Sequence, residues 1–535
     1  MKAEATRRAV LAGGTAAVLA GGCTAGKAIP GELSGADFTR GHQLRDRRFP
    51  EPEGPVRDVG VLIAGGGVAG LAAGWTLAEA GFDDLLLCEL EDRPGGNARS
   101  GRNAISAYPL GAHYLPVPNR EARALRHMLA RFGMITGERD GAPLYDPYQL
   151  CADLEERLFW RGSWQEGLFP QAGLTDAEHA EHRAFADAMA TFAAATGADG
   201  KPAFAIPSAY SSTDVRFTAL DRQSFAQWLD GQGWHSPLLR AHVRYCCRDD
   251  YGTEPEQVSA WAGIHYFAGR RGWAANGDGN RELTWPEGNS RLVSLMAAPI
   301  AGKVRAGHSV YRVTRDSDTM LVDCHDHGRA RSRRFRARAV ILAMPHFVAT
   351  RLVPEAGPGA GFSYAPWVVA NVSVSRHPAG PGVPLAWDNV STASESLGYV
   401  VATHQTASAG GGPTVLTWYM PLSRHRPAVE RKALLDRPLG EWQRLVRDDL
   451  VRLHPELEGA ITRIDVWRWG HAMVRPVPGF LTDPARLAAR APAPPVFRAH
   501  SDLSGLSLFE EAHHYGVAAA EAAMGYLGHA HESLL

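Results

Sequence analysis

Apolar residues in this chain fall into three kinds of run. Residues 59–64, 85–88 and 339–344 are short, continuous and bounded by glycine, proline or charge, the pattern of strands buried on both faces of a sheet. Residues 121–132, 177–196, 224–232, 237–247, 255–268 and 434–453 carry apolar side chains three and four apart, which predicts helices. Residues 367–374 and 415–419 alternate or run apolar as strands do. Together these runs predict an α/β protein, and 535 residues are enough for two domains.

The segment 59–101 organises the rest. Its first apolar run enters Gly65-Gly66-Gly67-Val68-Ala69-Gly70, a helical pattern follows through Leu71, Trp75, Leu77 and Ala78 to Gly81, and a second run ends at Glu89. This reads as strand, turn, helix, strand, with the dinucleotide fingerprint G-x-G-x-x-G at Gly65, Gly67 and Gly70 and Ala69 beside them. The first glycine permits the turn, the second lets a pyrophosphate approach the backbone, and the third brings helix against strand. Glu89 stands where an acid accepts hydrogen bonds from the adenosine ribose, and a carboxylate there disfavours a 2′-phosphate, so FAD or NAD is preferred over NADP.

Beyond Glu89 comes Asp92-Arg93-Pro94-Gly95-Gly96-Asn97-Ala98-Arg99-Ser100-Gly101. Here the chain resembles the FAD-dependent amine oxidase superfamily, which includes monoamine and polyamine oxidases, protoporphyrinogen oxidase and phytoene-type desaturases. In that superfamily an R-x-G-G pair wraps the pyrophosphate, which implies that role for Arg93, Gly95 and Gly96. Asn97 stands where many members have arginine, with Arg99 two residues later. The segment Tyr108 to Pro116 resembles the stretch that passes beside the flavin ring: Gly111 and Ala112 permit close approach, and His113 and Tyr114 are candidates to face the substrate, with a structural role for His113 equally open. Trp285-Pro286-Glu287-Gly288-Asn289 resembles a P-x-G-G stretch in which Asn289 replaces the second glycine. By the same resemblance Val310 meets adenine, Asp502 corresponds to the ribitol-binding acid, and Gly516 lies in the helix aimed at the flavin. Trp469, His471 and Arg475 are candidates to line the active site, and Arg248-Asp249-Asp250-Tyr251-Gly252 reads as a charged turn, either functional or simply the end of a helix.

The resemblance implies a discontinuous Rossmann-like FAD-binding domain of the GR2 type, with an interleaved mixed-sheet and helical substrate domain. The implied division is a leader at 1–23, a linker at 24–57, FAD-binding parts at 58–118, 285–345 and 461–530, a helical substrate or lid region at 119–284, and the substrate-domain sheet at 346–460. It implies hydride transfer from a C–N or C–C bond of a small molecule to the flavin, with oxygen or a quinone-like molecule as acceptor. A flavin-binding redox partner or assembly protein without catalysis is the alternative.

A net charge of −1 gives no electrostatic case for nucleic acid. Arg7-Arg8 before a short apolar stretch reads as a Tat-type export signal, which predicts recognition by the Tat machinery and a periplasmic or other extracytoplasmic location. Cys23 follows small residues, so a lipid anchor, plain cleavage and an uncleaved anchor all remain open. The other five cysteines show no metal-ligand or disulfide spacing. The only lysines are Lys2, Lys27, Lys201, Lys303 and Lys432. None falls on the strand after Met344-Pro345 where typical amine oxidases of the superfamily place one, and Asn371 occupies the approximate position. Leu508 stands where a tyrosine is usual, and no cysteine lies near the C-terminal signature. The expectation is therefore noncovalent FAD and poor turnover of simple primary amines.

Overall fold

The computed structural model describes residues 28–46, 48–277, 281–353, 361–406 and 411–535; the expected export signal and Cys23 lie outside them. The strand Arg57–Ala64 buries Val61, Leu62, Ile63 and Ala64 completely. Successive side chains leave a strand on opposite faces. Val61 and Ile63 pack with the helices Val68–Glu79, Ser290–Ala297 and Phe509–Tyr526, and Leu62 and Ala64 pack with Val310, Val313 and Val322. Burying each such Val, Leu or Ile side chain contributes about 1.5–3 kcal/mol, so this continuous run fixes the centre of the sheet.

That sheet is ordered Val304–Arg305, Leu85–Cys88, Arg57–Ala64, Arg331–Leu342, Thr319–Asp326, His308–Asp316, with Val496–Arg498 also paired to Arg331–Leu342. Its central joins are parallel, and the last three strands form an antiparallel meander. Three separated stretches of chain thus build one sheet. The second sheet has eight strands, ordered Leu33–Gly35, Ile461–Val474, Tyr364–Val374, Thr414–Pro421, Tyr399–Val401, Asp388–Ser391, Glu156–Trp160, Ser163–Glu166. Val368, Ala370 and Val372 face the helix Leu439–Leu453, while Trp367 and Val369 face the opposite way, toward Trp387, Tyr419 and Trp469.

The helical region has its own aromatic core of Phe185, Phe204, Phe225, Trp228 and Trp261. Its helices begin where capping chemistry dictates. Thr175 with Glu178 and Ser224 with Gln227 form capping boxes for Asp176–Ala194 and Phe225–Gly231, and Ser236 and Ser259 cap Pro237–Tyr251 and Ala260–Ala268.

Four expectations change. Residues 119–284 are not wholly helical, because Glu156–Trp160 and Ser163–Glu166 extend the second sheet. The final stretch does not belong to the cofactor domain from residue 461, since Ile461–Val474 is a strand of the substrate sheet. The helix expected at 434–453 is two, Pro427–Asp436 and Leu439–Leu453, broken at Arg437-Pro438 because proline disfavours helical geometry in the residue before it. The arm expected as a loose linker is docked in its described part: Leu33–Gly35 pairs in parallel with Val466–Arg468, and Phe38–Asp46 is helical. No residue of that helix is buried; backbone pairing, polar contacts and the part-buried side chains of Ile29, Leu33, Ala36 and Leu44, packed on three different cores, hold the arm.

Gly516 sits where the C-terminal helix crosses Val68–Glu79. An added Cβ would overlap the Ala69 carbonyl oxygen and come within 2.8 Å of Ala72 Cβ. Gly516→Ala should therefore destabilise the protein by about 1–3 kcal/mol through overpacking, read as a lower midpoint in denaturant melts against the parent chain.

Candidate active site

The turn after Arg57–Ala64 is shaped by contacts that exclude side chains. Gly65 has φ of 109°, and a Cβ on it would overlap the Ala343 carbonyl oxygen; a Cβ on Gly70 would overlap the carbonyl oxygen of Gly65. Gly67, the N-cap of the helix, is different: a Cβ there meets only Gly96 Cα, at 3.9 Å. Its missing side chain leaves space in a cavity of ≈ 340 Å³ that also borders Val68, Ala69, Glu89, Arg99, Val310 and Asp502. The first-turn amides of a helix have no partner inside it, so this N-terminus presents N–H donors and a positive dipole end to an anion.

Glu89 closes the strand Leu85–Cys88, with Oε2 accepting from Gly66 N at 2.6 Å and Oε1 from Glu91 N at 2.8 Å. A carboxylate has about four lone-pair sites, which leaves capacity toward the cavity. Burial raises its pKa, and the two backbone donors act against the rise. Gly95 and Gly96, at φ of 129° and 54°, turn the chain back, and Gly95 N donates to Gly66 O at 2.7 Å. Arg93 is left exposed and outside the cavity lining, so Arg99 is the arginine that borders it. Arg99 is held by Glu91 at 3.1 Å and stacks over Trp467 and Trp469 at 5.1 and 5.3 Å. Asn97 donates to the Ala472 carbonyl at 2.6 Å.

Asp502 is buried in the same cavity wall and accepts from His346 N at 2.7 Å and the Tyr364 hydroxyl at 2.6 Å. Burial alone would raise its pKa, but His500 and these donors outweigh it and hold the carboxylate ionised. His471 borders this larger cavity, packed on Phe347 and Tyr364, and burial pushes it down to about 4. Gly516 touches neither cavity; its role is the helix crossing. Ala36 and Leu44 of the arm also line the larger cavity, a contribution that no motif announces.

A smaller cavity of ≈ 150 Å³ adjoins it, and both are bordered by Asn97, Ala112, Trp469, Ala472, Ser507, Leu508 and Phe509. Gly111, His113 and Tyr114 line this second space with Trp367, Val369 and Tyr419. His113 Nδ1 is 3.0 Å from the Gly111 carbonyl oxygen, and burial lowers its pKa to about 4, so the ring is neutral. Asn371 shares a sheet face with Trp367 and Val369 but lies beyond the cavity, accepting from Thr417 Oγ1 at 2.8 Å. The register thus gives the site positions to Trp367 and Val369. Arg475 is likewise structural, bonded to Thr253 at 3.0 Å. Asp249 and Asp250, in the last turn of Pro237–Tyr251, do reach the cavity with Arg270 and Glu510.

The family described as flavin containing amine oxidoreductase matches residues 68–524, and the chain belongs to it. No curated protein sequence matches the chain. Among solved structures, a redesigned putrescine oxidase aligns at 18% identity over 89% of this chain and 100% of its own, with a TM-score of 0.65. Cyclohexylamine oxidase from Brevibacterium oxydans IH-35A aligns at 18% identity over 88% and 100%, with a TM-score of 0.63. A fatty acid isomerase from P. acnes aligns at 15% identity over 86% and 98%, with a TM-score of 0.58. The protein is an FAD-dependent oxidoreductase with the α/β fold of these enzymes.

The residues present fit that cofactor: Gly67 leaves the space a pyrophosphate needs, the helix N-terminus supplies donors, and Glu89 supplies a ribose acceptor. A Cβ at Gly67 meets no protein atom closer than 3.9 Å, so Gly67→Val should fold with an unchanged circular dichroism spectrum yet lack the yellow chromophore. Glu89→Ala should keep a weakened hold on FAD, measured as a raised dissociation constant for added flavin.

Proposed function

We propose that this protein is an exported flavoenzyme that takes a hydride equivalent from a C–N or C–C bond of a compact small molecule and passes the electrons to oxygen or a quinone-like acceptor. The observation that carries this reading is the second cavity, which adjoins the dinucleotide cavity through seven shared residues. A flavoprotein that only relayed electrons or assisted assembly would have no use for such a chamber.

FAD, when bound, supplies a two-electron acceptor, and the chain's own residues do the rest. The larger cavity's glycines, Glu89, Arg99 and Asp502 hold the cofactor without a covalent link. His113, Tyr114, Trp367, Tyr419 and Phe509 wall the smaller space with ring faces and edges, excluding water and confining the substrate's orientation. His113 is neutral and anchored to a carbonyl, so it positions neighbours rather than carrying charge. No lysine lines either cavity among the described residues, which supports a specialised oxidase or a desaturase-like reaction over turnover of simple amines. Structures of this fold include amine oxidases and a fatty acid isomerase, so the fold admits substrates other than amines.

Flavin should be free in the supernatant after acid precipitation. Spermidine and benzylamine should leave it oxidised under anaerobic conditions, whereas the physiological substrate bleaches it; rapid bleaching by either amine would overturn the preference. Replacing Arg7 and Arg8 by lysine should strand a flavin-loaded protein in the cytoplasm, seen by cell fractionation, and undiminished export would refute the location. Mass spectrometry of the mature N-terminus decides whether Cys23 carries a lipid.

A further inference from the structure

The arm at the start of the described chain lies against the dinucleotide cavity with unequal grips. Upstream the hold is close: Leu33–Gly35 pairs with Val466–Arg468, Ile29 and Leu33 pack on the core between the second sheet and Leu439–Leu453, and a Cβ on Gly31 would overlap the Ile464 carbonyl oxygen. Downstream, Phe49 stacks on Tyr311 with ring centroids 4.5 Å apart, and the Tyr311 hydroxyl donates to the Pro50 carbonyl at 2.9 Å. No residue from 36 to 46 is fully buried, yet Ala36 and Leu44 form part of the cavity wall. Beyond those two side chains, a small polar clasp holds this stretch to the body of the protein. Asp37 N donates to Glu91 Oε1 at 2.9 Å, and Arg40 Nη1 donates to the Leu90 carbonyl and to Asp92 Oδ1, both at 2.8 Å. The three accepting residues follow Glu89 directly in the chain, and Leu90 and Glu91 line the cavity themselves. Glu91 is the shared member: its N–H donates to Glu89 Oε1 at 2.8 Å, and its carboxylate also holds Arg99 at 3.1 Å.

We propose that residues 36–46 are a flap over the Glu89 end of the FAD site, that Arg40 is the positioning residue that keeps it shut, and that FAD leaves by the opening of this clasp. Asp92 has 81% of its side chain exposed, so its ion pair with Arg40 is weak and screened by salt. Firm anchors on both flanks with a weak grip between them let the flap lift while both sheets stay intact. A bound cofactor that fills the space beside Ala36 and Leu44 favours the closed form, and by reciprocity closure retains the cofactor. Release needs the open form, so its rate rises with the open population. None of this depends on what the smaller cavity accepts.

The test is the rate at which FAD leaves the holoenzyme on dilution, followed by the rise in flavin fluorescence. Arg40→Ala should release FAD at least about 10-fold faster, with no change in the denaturant midpoint of the apoprotein, which loss of a merely structural arginine would lower. Arg40→Lys keeps a charge opposite Asp92 but loses the guanidinium fork, and its rate should fall between the two. Arg45→Ala, on the same helix but paired with Asp46, should release FAD as the parent does. Limited chymotrypsin digestion gives a second readout, because Phe38 is 48% exposed and the closed flap shields the bond after it. That bond should be cut quickly in the apoprotein, slowly once FAD is added, and quickly again in FAD-loaded Arg40→Ala. A release rate that Arg40→Ala leaves unmoved, or a cut after Phe38 that FAD does not slow, overturns the flap and leaves the flavoenzyme reading standing. A protein that never holds flavin removes both.

Discussion

Everything in this molecule depends on two backbones coming closer than side chains allow. Where the strand Arg57–Ala64 turns into its helix, Gly65 lies against Ala343 and Gly70 against Gly65; farther along, Gly516 lets the last helix lie on Ala69. These contacts draw three distant stretches of sequence onto one point. The phosphate-binding turn, the end of Arg331–Leu342 and the C-terminal helix each owe their place to the absence of a methyl group. The cavity is the space left over where a fourth glycine, Gly67, has nothing opposite it.

The second sheet is built by a different physics. Its central strands are held by wide hydrophobic faces rather than by close backbone contacts, and the alternation along Tyr364–Val374 sends Val368, Ala370 and Val372 to one core and Trp367 and Val369 to the other. The chamber forms where that aromatic face meets Gly111–Tyr114 and the start of the last helix. Ile461–Val474 ties the two sheets together, since Trp469 and Ala472 border both cavities. The charged helix end at Asp249 and Asp250 arrives from the third region, so the chamber is the meeting place of all three.

The cofactor half was legible because its determinants are local. A turn that needs glycine, an acid a fixed distance on, and a short apolar run declare themselves within one stretch of residues, and Gly65, Gly67, Gly70 and Glu89 stand where that logic puts them; Asp502, which only the resemblance pointed to, borders the same cavity. The substrate half depends on register, which sequence does not display. Asn371 and Val369 are one pleat apart on the same face, and only the pairing with Thr414–Pro421 decides which of them borders the chamber. Arg93 and Arg99 differ in the same way: a reversal at Gly95-Gly96 chooses between them. The arm escaped because its few apolar anchors are only part-buried and go to three different cores rather than to one face.

That arm ties the beginning of the described chain to a segment made late in its synthesis. Leu33–Gly35 pairs with Val466–Arg468, and Ala36 and Leu44 complete one wall of the dinucleotide cavity. During translation this wall has no strand to lie on until more than four hundred residues have followed it from the ribosome. Closing of this wall of the dinucleotide cavity therefore waits until late in the chain's synthesis.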